Sequence, residues 1–326
     1  MHVTVIGAGP AGSSAALSAL REGAQVSIYE KSRFPRHKVC GEFLSPEVSE
    51  LLEDLGVWGE CEQHKPAILN RVFLSIGKRT KSWRLPQPAR GLSRYRMDHI
   101  LLERAVAQGA ALHRESADPG PGAVLAYGRH VQSTAGNRLF GFKAHFEGSV
   151  DDVMSLFFFK RAYVGVNAVE GGFTNVCGLA TEEALGRSAF DIDDFLQCCR
   201  PLQERLQPLR RKMEWLTTGP LVFGKTEGPE NCYAAGDSAA FVDPFTGSGM
   251  LGAISTGILA GRAAAQGTET SEHRKRWERV LSGQQRSAKF LRGAIESGWA
   301  ERLLPLVPGR ALFASTRPSR ISIATK

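Results

Sequence analysis

The chain has 326 residues, of which 42% are hydrophobic, 8% aromatic and 23% charged. That composition belongs to a folded globular protein and excludes a disordered, collagen-like or coiled-coil chain. Its 41 basic and 33 acidic residues leave a net charge of +8, concentrated late, at residues 273–276 and at Arg310, Arg317 and Arg320. Such an excess suits nucleic acid, an anionic membrane or an acidic ligand. No nucleic-acid motif accompanies it, so a solvated basic tail is the simpler expectation.

The length predicts roughly two domains, or one large domain with an insertion. No run approaches the ~18–20 apolar residues of a membrane-spanning helix. The densest patch, residues 156–159, stops at Lys160. The first residues carry no basic leader and no cleavage site, and a cytoplasmic protein is expected. Six cysteines (Cys40, Cys61, Cys177, Cys198, Cys199 and Cys232) are scattered, with no CxxC pair. Neither a disulfide framework nor a metal site is expected from that spacing.

In chain order, residues 3–6 form a short β-branched strand and 7–12 read Gly-Ala-Gly-Pro-Ala-Gly. A helix of small residues over 13–21 stops at Gly23, and a strand over 25–29 ends at Glu30. Strand, GxGxxG turn, helix, strand and acid is the order a dinucleotide site requires. Gly7 permits the tight turn, Gly9 lets a pyrophosphate approach, and Gly12 lets helix and strand pack closely. The helix N-terminus turns its free N–H groups toward that pyrophosphate. Glu30 is placed to accept ribose hydroxyls. An acid there disfavours a 2′-phosphate but does not separate NAD from FAD.

Residues 46–55 predict a packing helix, with Val48, Leu51, Leu52 and Leu55 at helical spacing. Strands follow at 71–76 and 81–85, a helix at 98–108 and a strand at 110–113. A short connection, 114–122, leads to a strand ending Tyr127-Gly128-Arg129. Residues 138–147 then alternate, with Phe140, Phe142, Ala144 and Phe146 on one face and Lys143, His145 and Glu147 on the other. With two or three more strands between 154 and 180, this predicts an antiparallel sheet roofing an apolar pocket. Lys143 and His145 either face that pocket as proton donors or form a solvated or cross-strand polar face, the commoner outcome.

Residues 231–237 form a strand ending Gly236-Asp237, and the glycine-rich stretch 243–250 opens a helix over 251–265. This is a second anion site. A nicotinamide-only protein has no need of it, whereas an extended FAD reaches from one loop to the other. Asp237 is placed for a ribitol hydroxyl. The helix N-terminus at Gly249 and Met250 is placed for flavin N1 and O2, where negative charge builds up on reduction. Residues 272–298 predict a basic amphipathic helix that either covers the nucleotide domain or lies on an anionic membrane.

On these residues the chain resembles the glutathione-reductase-type flavoproteins of hydroxylase-like architecture, and most of all the geranylgeranyl reductase and flavin-dependent halogenase branch. Residues 30–42, 93–105 and 233–250 carry the likeness. The resemblance implies that Gly7, Gly9, Ala11, Gly12, Glu30 and Lys31 hold the ADP half of FAD and that Arg94 meets its backbone. It implies that Gly236 and Asp237 meet ribitol or pyrophosphate, and that Gly247, Gly249 and Met250 meet the ring. Arg36 and Lys38 become flavin-side cations. Cys40 lies near the ring edge, either as a redox partner or as a small buried residue.

The chain also departs from the pattern. Tyr127-Gly128 stands where hydroxylases commonly carry Asp-Gly, and residues 114–122 replace a long β-meander. Of the reductases' Tyr-x-Trp-x-Phe-Pro strand only Tyr163 remains, with Gly165 in place of the tryptophan and a roomier pocket implied. The halogenases' Trp-x-Trp-x-Ile-Pro segment is absent, which speaks against chlorination.

The expected fold is α/β plus antiparallel β: a Rossmann-like FAD-binding domain, a β-sheet substrate domain and C-terminal helices. The FAD domain takes 1–66, 91–130 and 223–270, the substrate domain 67–90 and 131–222, and the helical segment 271–326. The expected function is FAD-dependent oxidation or reduction of a hydrophobic small molecule. A monooxygenase working through a flavin C4a-peroxide, with NAD(P)H as external reductant, comes first. A double-bond reductase of the geranylgeranyl reductase type is the alternative, and a flavin-binding module without turnover the second alternative. His145, Lys143 and Cys40 are the weak catalytic candidates. No nucleic-acid partner is expected, peripheral membrane contact is open, and the oligomeric state is not legible.

Overall fold

The computed structural model describes residues 1–128, 138–221, 224–225, 228–241 and 243–315. Arg129, Arg317 and Arg320, named above, lie outside these residues.

A five-stranded parallel sheet runs in the order Tyr233–Ala234, Val124–Leu125, His2–Ile6, Gln25–Tyr29, Ala111–His113. Its centre is buried on both faces, and Val3, Val5 and Ile28 are almost wholly enclosed. That is the usual fate of a parallel sheet covered by helices. Helix Pro10–Arg21 packs on it, with proline in the first turn and small residues along its length. The small residues have a reason. Helix Gly249–Gln266 lies across it, and a Cβ at Gly257 or Gly261 would overlap the carbonyl oxygen of Ala11 or Ala15. The two backbones touch, and Ser18 donates across the contact to the Ile258 carbonyl at 3.0 Å. Sequence-distant glycine loops are thereby brought to one place.

The second sheet has nine strands. Leu139–Glu147, Phe173–Thr181, Ala162–Ala168 and Val153–Phe159 form an antiparallel meander, and the hairpin of Ala67–Ile76 and Arg79–Gly91 extends it. Here the expectation of a purely antiparallel sheet is corrected. Ala67–Ile76 pairs with Val153–Phe159 in parallel. The hairpin comes from a separate chain segment and joins the meander's edge, so no turn fixes their relative direction. Phe43–Leu44, from the stretch assigned to the FAD domain, pairs with the far edge of this sheet.

The sheet's faces are covered in the opposite sense to the simple reading of the alternation. Phe142, Phe146, Phe157 and Val176 pack away from the nucleotide domain, against three short helices, Glu182–Gly186, Ile192–Leu196 and Arg200–Leu206. Those helices were not anticipated from the sequence. Thr181 and Asp191 cap the first two by accepting the backbone N–H groups of Ala184 and Asp194. Phe142 meets Phe195 edge-on, ring centroids 6.1 Å apart. The face carrying Lys143 and His145 therefore turns toward the nucleotide domain.

At the C-terminus, helix Thr270–Glu296 begins on the nucleotide domain. Trp277, Val280 and Leu281 pack there on Ala239 and Ala240, and the His273 ring hydrogen-bonds the Ala234 carbonyl at 2.9 Å. Its later turns, with Trp299–Leu303 and Gly309–Ser315, lie against the second sheet through Leu291, Leu304, Leu312 and Phe313. No described helix is long and apolar enough to cross a membrane.

Candidate flavin site

A cavity of about 430 Å³ lies between the two sheets. Gly9 and Glu30 stand at one end of its lining, Tyr163 and Phe245 at the other, and both glycine loops open into it. The loops meet directly: a Cβ at Gly236 would lie 2.8 Å from that of Ala11.

At the nucleotide end, the first loop is held tight. A Cβ at Gly12 would overlap the Gly7 carbonyl oxygen, and Gly7 itself has φ +99°. In front of Gly9 the space is open: among the described residues only the Arg94 guanidinium lies within 4 Å of a Cβ placed there. Gly9 also caps helix Pro10–Arg21 without a side chain, so the cap residue itself does not occupy that helix terminus. Glu30 accepts the Ala8 N–H at 3.1 Å, the Ser32 N–H at 2.7 Å and the Arg36 guanidinium at 3.1 Å. Burial alone would raise its pKa, but these donors hold it below the ordinary carboxylate value. It stays charged, as a ribose acceptor must.

Arg94 lines the cavity between the two ends. It grips the wholly buried Asp98 with two bonds, 2.5 and 2.7 Å long. Burial disfavours the guanidinium charge, and Asp98 more than offsets this. At the other end, Asp237, Gly247, Gly249 and Met250 line the wall, and a Cβ at Gly249 would meet nothing within 4 Å among the described residues. An open glycine at each helix start, a fixed acid and a central cation fit an extended dinucleotide such as FAD. Lys31 is exposed and does not line the cavity, whereas Ala11, Arg36, Lys38, Cys40 and Gly236 do.

The sheet side of the cavity is lined by Met154, Leu156, Tyr163, Gly165 and Leu179. Lys143 and His145 are not part of that lining. They are buried, 0% and 8% exposed, rather than solvated, and both bind Glu42. One Glu42 oxygen accepts the Lys143 ammonium and the Arg94 backbone N–H, the latter at 2.7 Å. The other meets His145 Nε2 at 2.7 Å. Burial would raise the Glu42 pKa, but Lys143 and His145 pull it below the ordinary value. Glu42 also sits at φ +53°, a backbone region rarely used by non-glycine residues. Three partners hold it there.

His37 completes the group. His37, Glu42 and His145 each place one potential ligand atom within 4.8 Å of the others. Sequence spacing did not reveal this cluster. The Lys143 ammonium lies on the same Glu42 carboxylate. Burial, then the neighbouring Lys143 and His145, push the His37 pKa down to about 4. Cys40 lines the cavity with its thiol pKa raised by burial, so it is held as the protonated thiol.

Tyr163 is the residue whose position the sequence least disclosed. It lines the main cavity and also a second one of about 240 Å³. Among the described residues its hydroxyl has no hydrogen-bond partner. Burial raises its pKa well above the ordinary tyrosine value, so the phenol keeps its proton.

Residues 1–134 match the family described as FAD binding domain. The match places an FAD-binding domain in the first 134 residues. It is 26% identical over 329 residues to the menaquinone reductase of Mycobacterium tuberculosis, covering 86% of this chain and 79% of that one. Solved structures share the fold, among them the following two. The flavin-dependent brominase Bmp2 matches with a TM-score of 0.77 at 18% identity, over 94% of this chain and 91% of that one. A geranylgeranyl bacteriochlorophyll reductase-like protein from Thermoplasma acidophilum matches with a TM-score of 0.76 at 17% identity, over 96% and 95%.

Proposed function

We propose that this flavoenzyme reduces a double bond of an apolar, chain-like lipid of the prenyl-quinone class. The observation that carries the reading is Tyr163, a residue that lines both cavities and whose hydroxyl is unpartnered among the described residues. The likeness to a menaquinone reductase over most of the chain supports the substrate class.

Bound FAD, once reduced by an external donor such as NAD(P)H, supplies a hydride. Glu30, Arg94 and the two glycine loops bind and orient the cofactor. Met154, Leu156 and Leu179 give the substrate an apolar wall and exclude water. Tyr163 holds the proton that must accompany the hydride and is re-protonated from solvent afterwards. The lipid gains two hydrogens and loses one double bond.

Hydroxylation is the second reading, favoured by the buried Glu42–His145 pair beside the cavity as another proton route. One experiment separates the two. Enzyme loaded with FAD is photoreduced without oxygen and mixed with a menaquinone-type lipid in detergent. Reduction predicts reoxidation and a product heavier by two hydrogens. Tyr163→Phe should slow that step about 10²–10⁴-fold while binding FAD normally. A product heavier by one oxygen atom, formed only in air, establishes hydroxylation instead. Unchanged lipid in both arms refutes reduction and leaves a flavin carrier.

A further inference from the structure

We propose that the C-terminal helices form a docking face for an anionic lipid bilayer, and that the second cavity is the portal from that face to the flavin site. The portal rests on the prenyl-lipid reading above, while the docking face stands on its own observations.

Four of the nine large hydrophobic side chains exposed among the described residues fall between positions 290 and 306. They are Phe290 (75%), Trp299 (57%), Leu303 (42%) and Leu306 (77%). Their spacing is not random. Trp299, Arg302, Leu303 and Leu306 follow i, i+3, i+4, i+7, the pattern of one helical face. The hydrogen bonds from Leu304 to Ala300 and from Val307 to Leu303 carry the helical turn past residue 303. The buried side of the same segment is Leu304. On the preceding helix Arg286, Lys289, Phe290 and Gly293 repeat this exposed spacing. Aqueous solvent gives such side chains nothing, whereas a membrane interface accepts aromatic and aliphatic groups at its boundary.

Charge selects the surface. Arg302 lies over the Trp299 ring, 6.0 Å from its centroid. The two turns facing these helices present exposed Lys78 and Arg79, and Lys160 and Arg161. Acids lie nearby too: Glu301 accepts the Lys78 backbone N–H and keeps its charge, Glu296 pairs with Arg292, and Glu183 pairs with Arg161. The exposed cations Lys78, Arg79, Lys160, Arg286, Lys289 and Arg302 still outnumber them. A cationic rim around apolar side chains complements anionic headgroups.

The cavity opens within that rim. Gly77, Lys160, Arg161, Gly298 and Glu301 belong to its lining. Tyr163, Leu179 and Phe245 line both it and the flavin cavity. A lipid chain leaving the bilayer there reaches the Tyr163 hydroxyl without crossing water.

The test uses the full chain loaded with FAD and sedimented with vesicles. One set is phosphatidylcholine alone, and the other contains about one-third phosphatidylglycerol. Docking predicts preferential binding to the anionic set, weakening between about 50 mM and 500 mM salt. Trp299→Ser/Leu306→Ser should weaken binding at least tenfold, with its circular dichroism and FAD content unchanged. Equal binding by this variant, or no binding of the parent to anionic vesicles, overturns the docking face. The portal is read separately. The same variant should lose turnover of a lipid carried in vesicles at least tenfold and keep turnover of a water-soluble, one-prenyl analogue. Equal loss with both substrates overturns the portal. If neither substrate is reduced by the parent enzyme, the reductase reading has failed while the vesicle result still stands.

Discussion

Replacing Glu42 with glutamine isolates the electrostatic part of the Glu42 network. The amide is nearly isosteric. Its oxygen can still accept the Arg94 N–H and the Lys143 ammonium, and its nitrogen lies opposite His145. What disappears is the negative charge beside a lysine that is 0% exposed. Removing one partner of a buried ion pair costs about 3–5 kcal/mol, since the other charge remains desolvated. Giving up the proton is the alternative, and neutralising an ordinary lysine at pH 7 costs about 4–5 kcal/mol, which caps the loss. For a chain of this size the melting temperature should fall by about 4–7 °C. The assay is thermal and urea unfolding at pH 7 with FAD saturating for both proteins. Glu42→Gln/Lys143→Met should recover most of the loss, because it removes both charges and keeps the volume. A single variant within about 1 kcal/mol of the parent, or a double variant no better than the single, would refute the network as described.

Three further outcomes are expected. Gly12→Ala forces a methyl onto the Gly7 carbonyl, so the purified variant should be colourless and should not regain absorbance with added FAD; a yellow protein contradicts the loop geometry. Gly165→Ala should be nearly neutral, its Cβ meeting Leu156 at an ordinary 3.5 Å, whereas Gly165→Trp should fill the cavity and raise the KM for a bulky lipid with FAD affinity unchanged; equal KM values would refute that placement. His37 has a folded pKa of about 4, below the ordinary histidine value, so the unfolded chain binds the extra proton first. Its contribution to stability is present above about pH 6.5 and is lost as the pH falls toward 4. Urea midpoints should therefore fall more steeply over that window in the parent than in His37→Gln, and equal slopes would refute the assignment.

The nucleotide loop was legible because its function is written in contiguous backbone. Gly7, Gly9, Gly12 and Glu30 lie within one strand–turn–helix–strand unit, where sterics leave few alternatives. The late loop was legible for the same reason, and the meeting of the two through Gly236 and Ala11 could be anticipated from the reach of one extended cofactor. Other features are tertiary. Alternation along 138–147 separates two faces, yet it does not say which is covered by helices and which by the nucleotide domain. The aromatic face went to the helices of residues 182–206. Glu42 meets Lys143 and His145 across more than a hundred positions of chain. No local pattern marks such a pair. Tyr163 was visible as a retained family residue, but its place at the junction of two cavities was not.

The glycine-to-carbonyl contact between helices Pro10–Arg21 and Gly249–Gln266 has a consequence for biosynthesis. Helix Pro10–Arg21 emerges from the ribosome more than 200 residues ahead of the helix that packs on it and of the edge strand Tyr233–Ala234. The nascent small-residue helix must wait, uncovered, until those residues are made. Loading of the cofactor is thus a late event, and a product truncated before residue 249 would carry the recognition loop yet leave the ribosome unable to retain flavin.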